Sequence, residues 1–574
     1  MERMISFYNL GGKSRLWRQL VGQVYLPDAQ DHTVSAALSS GLPGNVEEIG
    51  KERQKNMSCS RDPSGRLKWH FHLSILVVLM LLSASGFAQG RFTINELKLK
   101  GEITNVIVED LDRDGLKDLV VFHADTSIKT PQRWVTVLWQ DKATGFELKR
   151  AYELQPGPEA AAMDVGQADG KEGLDLIAIC PSGVVYYPNH GRSFGHQTLL
   201  VQKETALAMP SPRTLPYVDW VRDWNGDGND ELMLFQFGQA LFFTGGKNGP
   251  DLNTLQTLAL RPWSDILAAS GVKGDAASQL DLVSMNTYLP RVYARDWDGD
   301  GRPDLIAVGR KDITVFIQDE RGGYPSSSVR KYEVELFTPA EEHFSASPVY
   351  PYWPPSLSFS DLDHDGKADL VGQQLIGLLG KMKSKVVLYW GRTGSLSRGK
   401  PDMVFTPKNL AVMALVSDLN KDGLEDILIP TLGLSFFTVG RVFATGTFPV
   451  ELNYYLQTRD HKFSNAPDYV RTLNLVFDLE KFRLAAGIPG VFDDFNGDGF
   501  PDAAIGKSKT QLEVIICDNN GKYTNVRESI SLPVSSAIMV QDLNGDKKAD
   551  IILNYFDDPD HRGELRILMN QGKW

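Results

Sequence analysis

Cysteine is scarce. Cys59, Cys180 and Cys517 are the three in 574 residues, with no CxxC pair and no Cys/His spacing for zinc, so a zinc site or thiol redox motif is excluded. Cys180 in LDLIAIC and Cys517 in LEVIIC read as buried strand residues rather than disulfide partners. A basic surplus is also missing: 60 Lys and Arg stand against 72 Asp and Glu, a net charge of −12. That balance argues against a nucleic-acid partner, which wants a positive face. GxSxG, Walker and dinucleotide-binding glycine loops are absent, and ten histidines form no nucleophile or zinc pattern. No catalytic residue and no organic cofactor is assigned.

One long apolar run stands out, Leu73 to Leu82. Arg61, Arg66 and Lys68 precede it and the small residues Ala84, Ser85, Gly86 and Ala88 follow, with Gly86 and Ala88 at the −3 and −1 places of a cleavage site. The run is shorter than the ~20 residues of a membrane span. Residues 57–88 are therefore expected to be a signal peptide opening at Met57. Residues 1–56 then read as an over-extended or disordered segment, or as a cytoplasmic tail if the run is an uncleaved anchor. A cleaved signal implies a secreted, periplasmic or cell-surface protein with no membrane span in the mature chain.

What the chain has in abundance is one acidic nonapeptide, D-x-[DN]-x-D-G-x-x-[DE], placed between apolar runs seven times. Position 1 is Asp110, Asp223, Asp296, Asp361, Asp418, Asp494 or Asp542, and position 3 is Asp112, Asn225, Asp298, Asp363, Asn420, Asn496 or Asn544. Position 5 is Asp114, Asp227, Asp300, Asp365, Asp422, Asp498 or Asp546, and position 9 is Asp118, Glu231, Asp304, Asp369, Asp426, Asp502 or Asp550. Calcium takes six to eight oxygens, and alternate positions of a tight loop aim carboxylates at one centre. Position 6 is Gly in six copies, which permits the positive φ of the turn, and Lys547 in the seventh. A position-7 carbonyl and the position-9 acid would complete the shell. These 28 residues are the candidate ligands for up to about seven Ca²⁺. The metal-free alternative, an Asx-rich turn capping strands, must tolerate repulsion among converging carboxylates.

An EF-hand would need an acid at position 12, where this chain has Val121, Leu234, Ala307, Gly372, Ile429, Ile505 or Leu553. The flanks DLVVF, ELMLF, DLIAV and DIILN are β-rich, and position 2 is always apolar, so each loop hangs between two packed strands.

The nonapeptides with these flanks resemble the FG-GAP/VCBS repeats of integrin-α-type propellers, over roughly residues 91–574. The resemblance implies an all-β, calcium-binding β-propeller forming one domain over residues 89–574, and functions that range from adhesion and sugar binding to some enzymes.

A further unit, AAAMDVGQADGKEGLDLIAIC, carries Asp164, Asp169 and Asp175 and reads as a blade whose loop is lengthened and whose metal site is lost or distorted. It brings the count to eight blades of four antiparallel strands, or seven if one unit is miscounted. The last unit supplies three strands, so RFTINELKLK (91–100) is expected to complete that blade, leaving no exposed sheet edge. By carboxylate count the 110, 296 and 361 loops should bind calcium best, and the 542 loop least. Residues 89–574 hold 50 bases and 65 acids, a net of −15 that seven Ca²⁺ would nearly cancel.

Long insertions fall on the face opposite the acidic loops: 263–289, 339–356, 373–383 and 430–448. Two are aromatic-rich, with Tyr350, Tyr352 and Trp353 in one and Phe436, Phe437 and Phe443 in the other. Loops on a rigid scaffold are where ligands bind, and such rings suit sugar stacking or a protein partner, although they also serve simply to pack an insertion. A monomeric binding or adhesion module for a carbohydrate or cell-surface protein is expected. The alternative is a polysaccharide-active enzyme resembling rhamnogalacturonan lyases, drawing on Lys381, Lys383, Lys385 or Arg441.

Overall fold

In the computed structural model, the structure describes residues 90–574, apart from 208–209, 270–281, 310–311, 335–354, 377–381, 434–435, 479–482, 485–490, 492, 520, 535–536 and 557. The segments 1–56 and 57–88, Cys59, Tyr350, Tyr352, Trp353 and Lys381 lie outside the described residues.

The apolar run after each acidic loop is the second strand of a sheet, and in most blades it is buried from end to end. Leu119–Ala124, Glu231–Phe235, Asp304–Val308, Asp426–Leu432 and Asp550–Asn554 have no exposed position. A continuous apolar run with both faces covered is what a blade between two neighbours requires.

Eight such sheets follow in chain order. Blade 1 is Glu102–Glu109, Asp118–Asp125, Gln132–Leu138 and Tyr152–Leu154; blade 2 is Ala162–Gly166, Asp175–Cys180, Gly183–Tyr187 and Thr198–Val201. Blade 3 is Val221–Arg222, Glu231–Phe235, Ala240–Phe243 and Gln256–Leu258; blade 4 is Arg291–Arg295, Asp304–Val308, Asp312–Phe316 and Val329–Glu333. Blade 5 is Ser356–Ser360, Asp369–Ile376, Lys383–Tyr389 and Met403–Phe405. Blade 6 is Leu410–Ala411 with Leu415–Ser417, Asp426–Leu432, Thr447–Tyr455 and Tyr469–Asp478, extended by Arg483–Leu484. Blade 7 has three described strands, Ala503–Ser508, Gln511–Cys517 and Tyr523–Ser531. Blade 8 is Ala537–Gln541, Asp550–Asn554 and Glu564–Asn570, with Phe92–Lys98 as its outer strand in register Phe92↔Asn570 to Lys98↔Glu564. The chain is an all-β, eight-bladed propeller.

Apolar clusters form between blades. Leu111 and Val120 of blade 1 pack with Met163 and Leu176 of blade 2, and Leu119 and Val121 on the other face pack with Met539 and Ile552 of blade 8. Blades 2, 3 and 4 share one cluster, and the pairs 4–5, 5–6, 6–7 and 7–8 one each. Side chains from one blade also cover the inner edge of the next: Asp164 Oδ2 accepts from the Trp220 and Val221 amides at 2.7 and 2.9 Å, and Tyr293 OH donates to Leu357 O. Unpaired edges invite aggregation, and these bonds occupy them.

Because strands alternate in direction, the acidic turns share one face with the connections from third to outer strand. The insertions leave from the other. There, among the described residues, Trp263–Ala269 and Leu282–Tyr288 pair only with each other, between blades 3 and 4. The 430–448 insertion is not a long loop: the second strand runs on to Leu432, a ten-residue helix Phe436–Thr445 follows, and the third strand begins at Thr447. Val442 packs inward while Phe443 is 67% exposed, and Arg441 donates to Asn474 Oδ1. Insertion 373–383 likewise lengthens two blade-5 strands. Cys180 and Cys517 are buried, free strand residues. Among the described residues no helix is long and apolar enough to cross a membrane.

Candidate metal centres

Each acidic turn is built first from its own backbone. The position-1 carboxylate gathers amides further along: Asp110 accepts from Asp114 and Gly115, Asp296 from Gly299 and Gly301, Asp494 from Asn496, Gly497 and Gly499. The position-5 acid accepts from the amide two residues on, as Asp300 does from Arg302 and Asp365 from Lys367. Position 6 is left-handed throughout, including Lys547 at φ 65°. Position 4 is left-handed too, held by Arg113, His364 and Lys421 in three turns. Non-Gly residues adopt that region at ~1 kcal/mol or more, so the turn is strongly specified by the bonds around it.

Position 9 has a task of its own. In all eight blades its carboxylate is at most 3% exposed and bonds two backbone segments. One oxygen accepts the position-2 amide (Leu111, Ala168, Trp224, Trp297, Leu362, Leu419, Phe495, Leu543) at 2.7–3.1 Å. The other accepts an amide at or just beyond the end of the third strand (Gln140, Asn189, Gly245, Gln318, Gly391, Gln457, Cys517, Asn570) at 2.7–2.9 Å. Burial pushes these acids up, to about 7 for Asp118, Glu231, Asp369, Asp426 and Asp550 and about 6 for Asp304 and Asp502, against the pull of the two amides.

The residues after the third strand carry a further device that sequence reasoning missed. Asn189, Gln318, Gln457 and Asn570 donate their side-chain amides to Leu111, Asn225, Leu362 and Phe495 carbonyls in the preceding blade's turn, at 2.7–3.0 Å. Gln140, with its amide nitrogen turned inward, reaches Leu543 O of blade 8. Position-8 amides stitch the same seam: Lys117 to Leu543 O, Leu174 to Leu111 O, Ala368 to Asp296 O and Ala549 to Asp494 O. The signal was an Asn or Gln closing strand 3, at no fixed distance from the motif.

The remaining carboxylates divide by position 3. Where it is Asp, three acids bring one oxygen each within 4.8 Å of one another: Asp110, Asp112 and Asp118; Asp296, Asp298 and Asp300; Asp361, Asp363 and Asp365. Like charges that close repel by a few kcal/mol per pair. Where it is Asn, the amide bridges the loop instead: Asn225, Asn420 and Asn496 donate to Asp227, Asp422 and Asp498 at 2.9–3.2 Å. Asp112 Oδ1 and Asp418 Oδ1 are buried with no hydrogen-bond donor. Such an oxygen is costly to leave bare and ready to meet a cation. Hard oxygen donors, converging and partly unsatisfied, fit Ca²⁺.

Blade 2 corrects the sequence reading. Its turn is not lengthened. The bonds of Asp175 to Ala168 and Asn189 fix position 9, so Gln167–Asp175 is a nine-residue turn with Gln at 1, Asp169 at 3 and Lys171 at 5. Asp164, counted earlier with the loop, lies inside the inner strand. Lys171 Nζ sits 2.6 Å from Asp169 Oδ2.

Sequence comparison meets this geometry at the turns. The profile of the FG-GAP-like repeat matches residues 296–372, from the blade-4 turn through that of blade 5, and 494–553, from blade 7 through blade 8. These two stretches match the FG-GAP-like repeat. The two matched stretches thus each span a pair of successive FG-GAP turns, and the turns of blades 1, 3 and 6 repeat the same bonds outside them. No curated protein matches the chain in sequence. Similar solved structures include BBS1N in complex with ARL6DN, soaked with lead (10% identity, 85% of this chain and 99% of that one, TM-score 0.33). The Dos1 propeller (10%, 85% and 98%, TM-score 0.38) and the WD40 domain of SCAP from fission yeast (10%, 84% and 95%, TM-score 0.38) are also similar.

Proposed function

We propose that the chain is a secreted, monomeric, calcium-stabilised propeller acting as a binding or adhesion module for a carbohydrate or cell-surface protein. The observation that carries this reading is the division of labour between its faces. One face repeats a single acidic turn around the ring, while the other puts out the paired strands Trp263–Ala269 and Leu282–Tyr288 and the 436–445 helix with its exposed Phe443. Carboxylates at positions 1, 3 and 5 would hold the ions, and the charge supplied would cancel their mutual repulsion and fix the turns. The FG-GAP likeness supports a binding or adhesion role, and the sequence signal over 57–88 supports export.

The test is a glycan array run on calcium-loaded full-length protein beside an absorbance assay for unsaturated uronides. Binding that is lost on Phe443→Ala supports the module. Product formation would overturn it in favour of a lyase. N-terminal sequencing of exported protein should begin at Gln89, and an intact Met1 would contradict the cleaved signal.

A further inference from the structure

Carboxylate count alone ranks the turns of blades 1, 4 and 5 together, but their position-3 acids are met differently. Arg192, from the third-to-outer connection of blade 2, crosses to blade 1 with Nε 3.1 Å from Asp112 Oδ2 and an Nη 3.2 Å from Asp114 Oδ2. The same Nη donates to Gln140 O. In blade 5, Arg392 lies against the fully buried Asp363 with its guanidinium 4.9 Å from the Trp390 ring centre. In blade 4, Arg302 touches Asp300 from within the turn, and among the described residues no cation meets Asp298. Blade 2 completes the series, with Lys171 on Asp169.

We infer that Arg192 and Arg392 are tethered counter-cations of the first and fifth turns, and that calcium enters those turns by displacing them. This rests on the calcium reading above. A guanidinium placed on two carboxylates neutralises the repulsion that a metal would otherwise relieve. Its release costs an incoming ion the ion pairs it replaces. Both arginines are about two-fifths exposed, 43% and 39% at the side chain, so each can swing into solvent without unpacking a core. The cost is then that of a part-exposed pair, about three- to tenfold in affinity. Lys171 is the limiting case, a cation that belongs to the turn. The consequence is a filling order: blade 4 before blades 1 and 5, and blade 2 never.

Crystals of the full chain equilibrated at graded calcium give site-by-site occupancy. The wild type should fill the 296–304 turn at about three- to tenfold lower calcium than the 110–118 and 361–369 turns. R192Q should bring the 110–118 turn forward by that factor and leave 361–369 where it was, and R392Q the converse. In chelator R192Q should melt lower than wild type, with the gap closing in calcium, a readout independent of occupancy. If blade 4 fills but R192Q and R392Q change no turn, the counter-cation role is wrong and the calcium reading survives. If no turn takes calcium, both fall.

Discussion

The turns of blade 2 and blade 4 are the same length, end on the same buried acid and hold the same two amides, yet at positions 1, 3 and 5 one pairs Gln167 and Lys171 with a single aspartate and the other gathers three. The frame is therefore separate from the acids at positions 1, 3 and 5. Asp175 and Asp304 staple inner strand, turn and third strand whatever occupies positions 1, 3 and 5. The acids at those positions can be lost in one blade without the ring losing a blade. Position 9 ties the sheet to its turn, and positions 1, 3 and 5 carry the acids that vary between the two blades.

Breaking the shared part should hurt most. Asp175→Ala and Asp304→Ala each strand two buried amides, and about 3 kcal/mol of stability should be lost in urea unfolding of the full chain. For blade 2 the loss should be equal in calcium and in chelator; a calcium-dependent loss there would merge the two roles. Breaking the unshared part comes next. Asp298→Ala should release one bound ion and cost about 1–1.5 kcal/mol at millimolar calcium, for a site of ~0.1 mM affinity, and far less in chelator. Asp169→Ala should leave the ion count unchanged, measured by metal analysis of dialysed protein. Gln318→Leu removes one seam bond, from blade 4 to Asn225 O of blade 3, and should cost about 1 kcal/mol without changing ion stoichiometry. The smallest effect is a gain: Lys547→Gly relieves a left-handed lysine and should stabilise by less than about 1 kcal/mol, seen as a higher melting temperature.

Much of this was legible before any coordinates because a repeat states its rule many times. Seven turns with apolar position 2 and buried runs after position 9 marked the blades, and RFTINELKLK lies where the last sheet needed a strand. Blade 2 was misread because its donors at positions 1 and 5 are substituted. Its apolar Ala168 seven residues before Asp175 carried the register all along. The amide staples escaped because they follow position 9 at separations from 14 to 31 residues, set by hairpins of different length. Arg192 lies 80 residues from Asp112 and reaches it only once two blades stand side by side. The charge of position 9 is what the sequence shows; its burial and its two backbone amides, which only the fold reveals, give it a structural task as well.

The most direct test of the whole account is thermal melting of the full-length protein in millimolar calcium and in chelator. The account predicts a fall on the order of 10 °C in chelator, restored by added calcium. Superimposable melting curves in the two conditions would contradict it.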